Sequence, residues 1–205
     1  MSGYLSIAGL IIIVVTLGGI TASNNWRFTI LCLSLQYLGC IFLISKTLPL
    51  ILAASKLISG WIAGAILGMA LAGLSTEESY LLGYAARTKE SFFRSQSVFR
   101  LLIAGMVGLV AISLVPKFQE FIPGIEFEHS LASALMICIS LIQLSLISRP
   151  FDVVIGLLII LSGFEIAYSV VETSALVIGL LAVVDLGLAL VGAYLIFSPT
   201  MEHIE

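Results

Sequence analysis

Charged side chains are scarce in this chain, and their scarcity excludes most soluble functions. Of the 205 residues, 10% are charged and 60% are hydrophobic, which is outside the usual range of soluble globular domains. The net charge is −3 at pH 7 and the basic residues are scattered, so the chain has no basic surface for nucleic acid. The composition predicts an all-α polytopic membrane helix bundle without a separate soluble domain.

Residues that hold metals or haem are also few. Cys32, Cys40 and Cys138 lie in apolar runs without paired spacing, which is not the pattern of zinc, iron–sulfur or disulfide sites. His129 and His203 lie outside the apolar runs, so a pair of haem-ligating membrane histidines is absent. We therefore expect no cofactor and no bound metal.

Several enzyme signatures are missing from the sequence. It has no paired-aspartate motif of membrane phosphotransferases, no Gly-x-Ser-x-Gly, no His-Glu-x-x-His and no phosphate-binding glycine loop. We therefore assign no catalytic residues and expect at most an accessory subunit of a membrane oxidoreductase or translocase.

Long apolar stretches fill most of the sequence. A transmembrane helix needs about 20 apolar residues to cross about 30 Å of hydrocarbon. The first stretch lacks the positively charged leader of a signal peptide, so we expect it to remain as a span. The five prolines are expected at or between helix ends, with none interrupting a span. This predicts seven helices near 4–22, 28–46, 49–74, 100–116, 129–148, 152–171 and 174–197.

Basic residues are unevenly divided between the two predicted sides of the membrane. One side carries only Lys46 and Lys117. The other carries six, and the positive-inside rule assigns it to the cytoplasm. The N-terminus is then predicted outside and the C-terminus inside. The six residues are Arg27, Arg87, Lys89, Arg94, Arg100 and Arg149.

The order of helices and turns suggests an internal duplication. Two tight outer turns, near residues 46–48 and 172–174, match at an offset of 126 residues. We interpret residues 1–205 as one membrane domain, with a first three-helix unit at 1–74 and a second at 129–197. Residues 75–128 connect them. Within this connection, residues 76–99 mix charged and aromatic side chains, which predicts either an interfacial helix or a docking surface for a soluble or peripheral subunit.

Polar side chains inside the apolar stretches are the main functional signal. Glu165, Asp185 and Lys56 lie within predicted spans, together with the milder Gln36. Burying an ionised group in the membrane is costly, so such residues usually face a partner or a water path. Because Glu165 and Asp185 lie on helices joined by a minimal turn, we expect them at similar depth. They either pass a proton or remain protonated as structural hydrogen-bonding groups, and Lys56 either biases a nearby carboxyl or extends outward to the interface.

The last three predicted helices resemble a known family. Gly163-Phe164-Glu165 in one helix and Asp185 in the next are similar to the K-type subunit of respiratory complex I and the C-type subunit of Mrp antiporters. The longer chain is more similar to component E of membrane-bound hydrogenases. The resemblance implies a proton relay through Glu165 and Asp185, and we add Lys56 and Gln36 of the first unit, which stand where carboxyls are expected, as candidate relay residues. It differs in having Asp as the second acid and no carboxyl in the first unit.

The partners and localisation follow from the same interpretation. We expect other membrane subunits and lipid as partners, in a proton- or cation-translocating redox complex of the inner (plasma) membrane of a prokaryote. Two other classes stay open: a purely structural subunit of a respiratory or photosynthetic assembly, and a stand-alone small transporter.

Overall fold

The structure consists of long α-helices. A computed structural model describes residues 2–23, 25–73, 90–146 and 149–201. Within these ranges it contains seven helices and no strand, and each helix is long and apolar enough to cross a membrane. The protein is therefore an integral membrane helix bundle, as the composition predicts. The helices are α1 (Ser2–Ala22), α2 (Trp26–Ile44), α3 (Leu50–Ala72), α4 (Glu90–Phe121), α5 (Phe127–Leu146), α6 (Pro150–Val171) and α7 (Ala175–Met201).

Local sequence signals explain where several helices begin. The side chain of Asn25 accepts a hydrogen bond from the backbone N–H of Arg27 and caps α2. Pro49 immediately precedes α3, and Pro150 is the first residue of α6, where a missing N–H removes no helical hydrogen bond. These signals place the helix starts within a few residues of those expected from the sequence.

The fourth helix differs most from its prediction. We expected 100–116, but α4 runs from Glu90 to Phe121 and passes through Pro116. The expectation that no proline interrupts a span was therefore wrong, and Pro199 also lies within α7. Proline costs a helix one backbone hydrogen bond and fits best in the first turn, so sequence rules favour ending a helix there. Of the predicted 76–99 segment, residues 90–99 belong to α4, and residues 76–89 lie outside the described part of the chain.

Side-chain contacts at the helix ends define two faces of the bundle. Lys46 Nζ lies 2.6 Å from Glu126 Oε2, and Thr47 Oγ1 donates to Ser169 Oγ at 3.1 Å. These contacts bring the turns at 45–49, 122–126 and 172–174 to one face, here named the turn face. The opposite face carries residues 23 and 25, residue 73 and residue 149.

The contacts between helices can be followed from one side of the bundle to the other. At one side α4 contacts α1 and α5, which also contact each other. In the middle, α1 packs on α2, α5 packs on α6, and α2 contacts α6. At the other side α3 packs on α7, with α3 also against α2 and α7 also against α6. Helix α6 is the most buried span, while most residues of α4 and α7 are at least partly exposed.

The two halves of the bundle have matching geometry. Helices α5, α6 and α7 begin 125, 124 and 125 residues after α1, α2 and α3. A Cβ on Gly39 would come within 3.0 Å of the Gly9 carbonyl oxygen, and one on Gly163 within 3.2 Å of the Ser133 carbonyl oxygen. These two contacts are also 124 residues apart. The geometry supports a duplicated three-helix unit, which stays a prediction.

Candidate functional site: a buried ionic cluster

Three charged side chains from three helices meet inside the bundle. Helix α3 provides Lys56, α6 provides Glu165 and α7 provides Asp185. The Lys56 Nζ atom lies 2.7 Å from Glu165 Oε2 and 2.5 Å from Asp185 Oδ2. We name these three residues the ionic cluster. They are also three of the four polar residues that the sequence singled out, and the lysine joins the two acids.

The ionic cluster is almost completely removed from the surface. The exposed fractions are 4% for Lys56, 7% for Glu165 and 0% for Asp185. At 1.5 Å per helical residue, Lys56 and Glu165 lie about 9 Å, and Asp185 about 15 Å, from the helix ends at the turn face. Lys56 therefore points to the carboxylates instead of extending to the interface. The backbone positions of the two acids differ in depth by about 6 Å, but their carboxyl groups both reach Lys56 Nζ.

Neighbouring residues shape the surroundings of the lysine. Lys56 Nζ lies 5.1 Å from the centre of the Tyr37 ring, a distance at which a cation and an aromatic face attract. A Cβ on Gly60 would overlap that ring, so glycine at this position lets Tyr37 pack against α3. One turn from Lys56, the Ser59 hydroxyl donates to Asp185 Oδ2 at 3.2 Å.

The charges of the ionic cluster do not balance when all three groups are ionised. One lysine faces two carboxylates, and a net negative charge in a membrane interior is costly. One added proton on the carboxyl pair would neutralise the cluster. The second oxygens, Glu165 Oε1 and Asp185 Oδ1, have no hydrogen-bond partner among the described residues. The cluster therefore has both the charge and the free acceptors needed to take up a proton.

A small cavity lies between the ionic cluster and the turn face. Lys56 and Glu165 line its inner end, and Leu48 and Glu172 line its end near the turns. The volume available to the centre of a water molecule is about 20 Å³. Because one buried water needs about 10–15 Å³ by this measure, the cavity has room for one water molecule.

Gln36 lies apart from the ionic cluster. It is 2% exposed, and neither its amide nitrogen nor its amide oxygen has a hydrogen-bond partner among the described residues. On α2 it follows Cys32 and precedes Gly39 at helical spacing, and both of those residues contact α1. Gln36 therefore lies towards α1, whereas the next residue, Tyr37, lies towards α3.

A second polar contact at the turn face was not predicted. His129 is 1% exposed, and its Nε2 N–H donates to the carbonyl of Leu43 at 3.0 Å. Its Nδ1 lies 3.9 Å from the Glu126 carboxylate, which also pairs with Lys46. The Lys46 side chain holds the pKa of Glu126 below its usual value, chiefly through their hydrogen bond. Sequence reasoning treated His129 only as a residue outside the apolar runs.

Sequence reasoning also missed Ser59 and Tyr37. The spacing Lys56, Ser59, Gly60 places all three on one face of α3, which is a signal visible in the sequence. Tyr37 offers no such signal, because its position depends on how α2 packs against α3. In the described residues, no three His, Cys, Asp or Glu side chains come together to hold a metal ion.

The fold and the ionic cluster define a class of protein. It is an integral helical membrane protein with a buried cluster of one cation and two carboxyl groups. Comparisons with known proteins found no matching family model, no matching curated protein and no matching solved structure.

Proposed function

We propose that the protein is a proton-transferring membrane subunit of a larger translocating assembly. The main observation that supports this proposal is the contact of Lys56 Nζ with both Glu165 and Asp185 inside the membrane-spanning part of the bundle. A lysine between two carboxyl groups stabilises one negative charge, and the second charge is removed by a bound proton. Release and uptake of that proton give the cluster its transport function.

The dimensions of the cavity support a proton as the transported species. A space for one water molecule delivers a proton by hydrogen bonding but is too small for an organic solute. The cluster lies beside this space, so protons reach it without hydration of the whole bundle.

The exposed helices support membership in an assembly. Helices α4 and α7 present many large apolar side chains outward, including Leu109 at 69% and Leu180 at 59% exposure. These surfaces are covered by lipid or by neighbouring membrane subunits. The resemblance to the small subunits of complex I, Mrp antiporters and membrane-bound hydrogenases points to a redox or antiport complex of the inner membrane. Such a complex supplies the driving force that the chain itself lacks.

Proton exchange in liposomes tests this function. The protein and its associated subunits are purified through an affinity tag and reconstituted with a pH-sensitive dye inside. A potassium gradient with valinomycin then sets the membrane potential. We expect faster proton uptake than in protein-free liposomes, and a decrease of about ten-fold or more in Glu165→Gln, because an amide cannot carry the titrating proton.

The exposed carboxyl of Glu120 offers the matched control. Glu120→Gln removes one carboxyl near the turn face but leaves the ionic cluster unchanged, so uptake should remain near that of the parent. Two results would overturn the proposal: parent uptake equal to that of empty liposomes, or undiminished uptake by a correctly assembled Glu165→Gln, Asp185→Asn double variant. Either result would leave the acids with a structural role.

A further inference from the structure

The two carboxyl groups of the ionic cluster have different surroundings. We propose that Glu165 is the group that exchanges protons, that protons reach it from the turn face, and that Asp185 remains the ionised partner of Lys56. This inference rests on the proposed function and assigns separate roles within it.

Hydrogen bonding distinguishes the two acids. Asp185 Oδ2 lies 2.5 Å from Lys56 Nζ and 3.2 Å from Ser59 Oγ, whose single proton is shared with the Lys56 carbonyl oxygen at 3.0 Å. Among the described residues, Glu165 Oε2 has Lys56 as its partner and no hydroxyl donor. Each donor to a carboxylate favours its ionised form. When one proton is shared between the two acids, these contacts place it on Glu165.

Access to the cavity also distinguishes the two acids. Glu165 lines the cavity, while Asp185 is fully buried and does not line it. On α6, the residues Tyr168, Ser169 and Glu172 continue from Glu165 along the same cavity wall. Glu172 lies seven residues from Glu165, about 10 Å along the helix. Its exposed side chain follows the end of α6 at the turn face, where Oε1 accepts hydrogen bonds from the backbone N–H groups of Thr173 and Ser174.

Tight apolar packing closes the other direction. A Cβ on Gly192 of α7 would come within 2.8 Å of Val154 on α6 and 3.0 Å of Leu67 on α3. Gly192 lies seven residues beyond Asp185, towards the opposite face. Leu67 and Val154 are buried, so the same three helices that form the ionic cluster make a close apolar contact below it. Among the described residues, this apolar contact lies on the direct path to the opposite face between α3, α6 and α7, so onward transfer in the assembly takes another path.

Carbodiimide labelling tests the assignment of the proton. Dicyclohexylcarbodiimide is an apolar reagent that modifies protonated carboxyl groups within membranes. Reconstituted protein is treated over a series of pH values, digested and analysed by mass spectrometry. We expect at least ten-fold more adduct on Glu165 than on Asp185, with the Glu165 adduct decreasing as pH rises. Glu165→Gln should abolish the adduct.

Two outcomes separate this inference from the proposed function. Preferential labelling of Asp185 would overturn the assignment of roles but would leave a titrating cluster in place. The absence of label from both acids over the whole pH series, with label on an added free carboxylic acid as reagent control, would overturn both.

Two neighbouring substitutions on α7 test whether protons reach Glu165 from the turn face through the cavity. Leu181 lines the cavity, whereas its neighbour Leu180 is 59% exposed on the outside of the bundle. Leu181→Phe should fill the cavity and reduce proton uptake several-fold. After a pH jump, the labelling of Glu165 should also change several-fold more slowly. Leu180→Phe should leave both unchanged. Equal effects of the two substitutions, or none from Leu181→Phe in folded protein, would contradict entry from the turn face.

Discussion

At the scale of single residues, Lys56 sets the charge of the ionic cluster. Its ammonium group contacts two buried carboxyl groups, so its removal leaves both without a cation. Breaking a buried ion pair by removing one partner typically costs about 3–5 kcal/mol. Lys56→Met should therefore reduce the folded fraction that remains after heating in detergent.

A double substitution provides the control for this prediction. Adding Asp185→Asn to Lys56→Met removes the unpaired charge, and Glu165 can remain neutral as the acid. We expect the double variant to be more stable than Lys56→Met alone, so the two changes should not be additive. Additive losses of stability would show that the contacts of Lys56 with the acids do not control its effect.

The individual charged residues could be predicted from the sequence, but their meeting could not. Glu165, Asp185 and Lys56 are visible because charge inside an apolar run is costly. Lys56 and Asp185 are 129 positions apart, and only the packing of α3 on α7 brings them together. The proposed relay role of Gln36 stays a prediction, since it lies towards α1.

At the scale of helices, close packing of α3 against α2 supports the ionic cluster. A Cβ on Gly60 would overlap the ring of Tyr37, while one on Gly64 would meet no atom closer than 3.8 Å. Gly60→Ala should displace Tyr37 and destabilise the protein by about 1–3 kcal/mol, the usual cost of overpacking. Gly64→Ala adds the same methyl group on the same helix and should have little effect. A similar loss of heat resistance in both variants would indicate that α3 does not depend on this contact.

The turns at the turn face are joined by an ion pair that responds to acid. The pKa of Glu126 is lowered by Lys46, so the pair is present above the usual carboxyl pKa and is lost as pH falls through the lowered value. Because Glu126 is exposed, water and salt weaken this contribution. Amide exchange in residues 122–126, expressed relative to the intrinsic exchange rate at each pH, should increase on acidification in the parent. In Lys46→Gln that increase should be smaller, and an identical acid response would contradict the role of the pair.

Most helices could be located from the sequence, because apolar length is a strong signal. Residues 152–171 were predicted and α6 runs from Pro150 to Val171. The fourth helix was underestimated because charge before Phe99 and proline at 116 are local end signals. In the structure, α4 has 32 residues and extends well beyond the span that begins at Phe99. Helix α4 continues through both of these local end signals, so its length could not be derived from them.

At the scale of the whole molecule, the two three-helix units are similar in geometry but differ in charge. The second unit contributes both acids, and the first contributes the lysine and the tyrosine beside it. Neither unit contains the complete ionic cluster. If the units arose by duplication, the charged residues of the ionic cluster were divided between them afterwards, and their contact depends on the interface between α3 and α7.

The orientation of the bundle determines which compartment supplies the protons. The opposite face and the adjoining segment carry the larger share of basic residues, so we expect this face in the cytoplasm and the turn face outside. Two variants with one added cysteine each, Glu120→Cys at the turn face and Thr88→Cys in the basic segment, are treated in intact cells with a membrane-impermeant maleimide. Labelling of the parent protein gives the background reaction of Cys32, Cys40 and Cys138.

We expect labelling of Glu120→Cys in intact cells and of Thr88→Cys only after the membrane is permeabilised. The cavity would then open outside, and protons would reach Glu165 from the exterior. The reverse labelling pattern would contradict the predicted orientation. It would leave the ionic cluster and its cavity unchanged, but Glu165 would then exchange protons with the cytoplasm, and the direction of proton entry would be inverted.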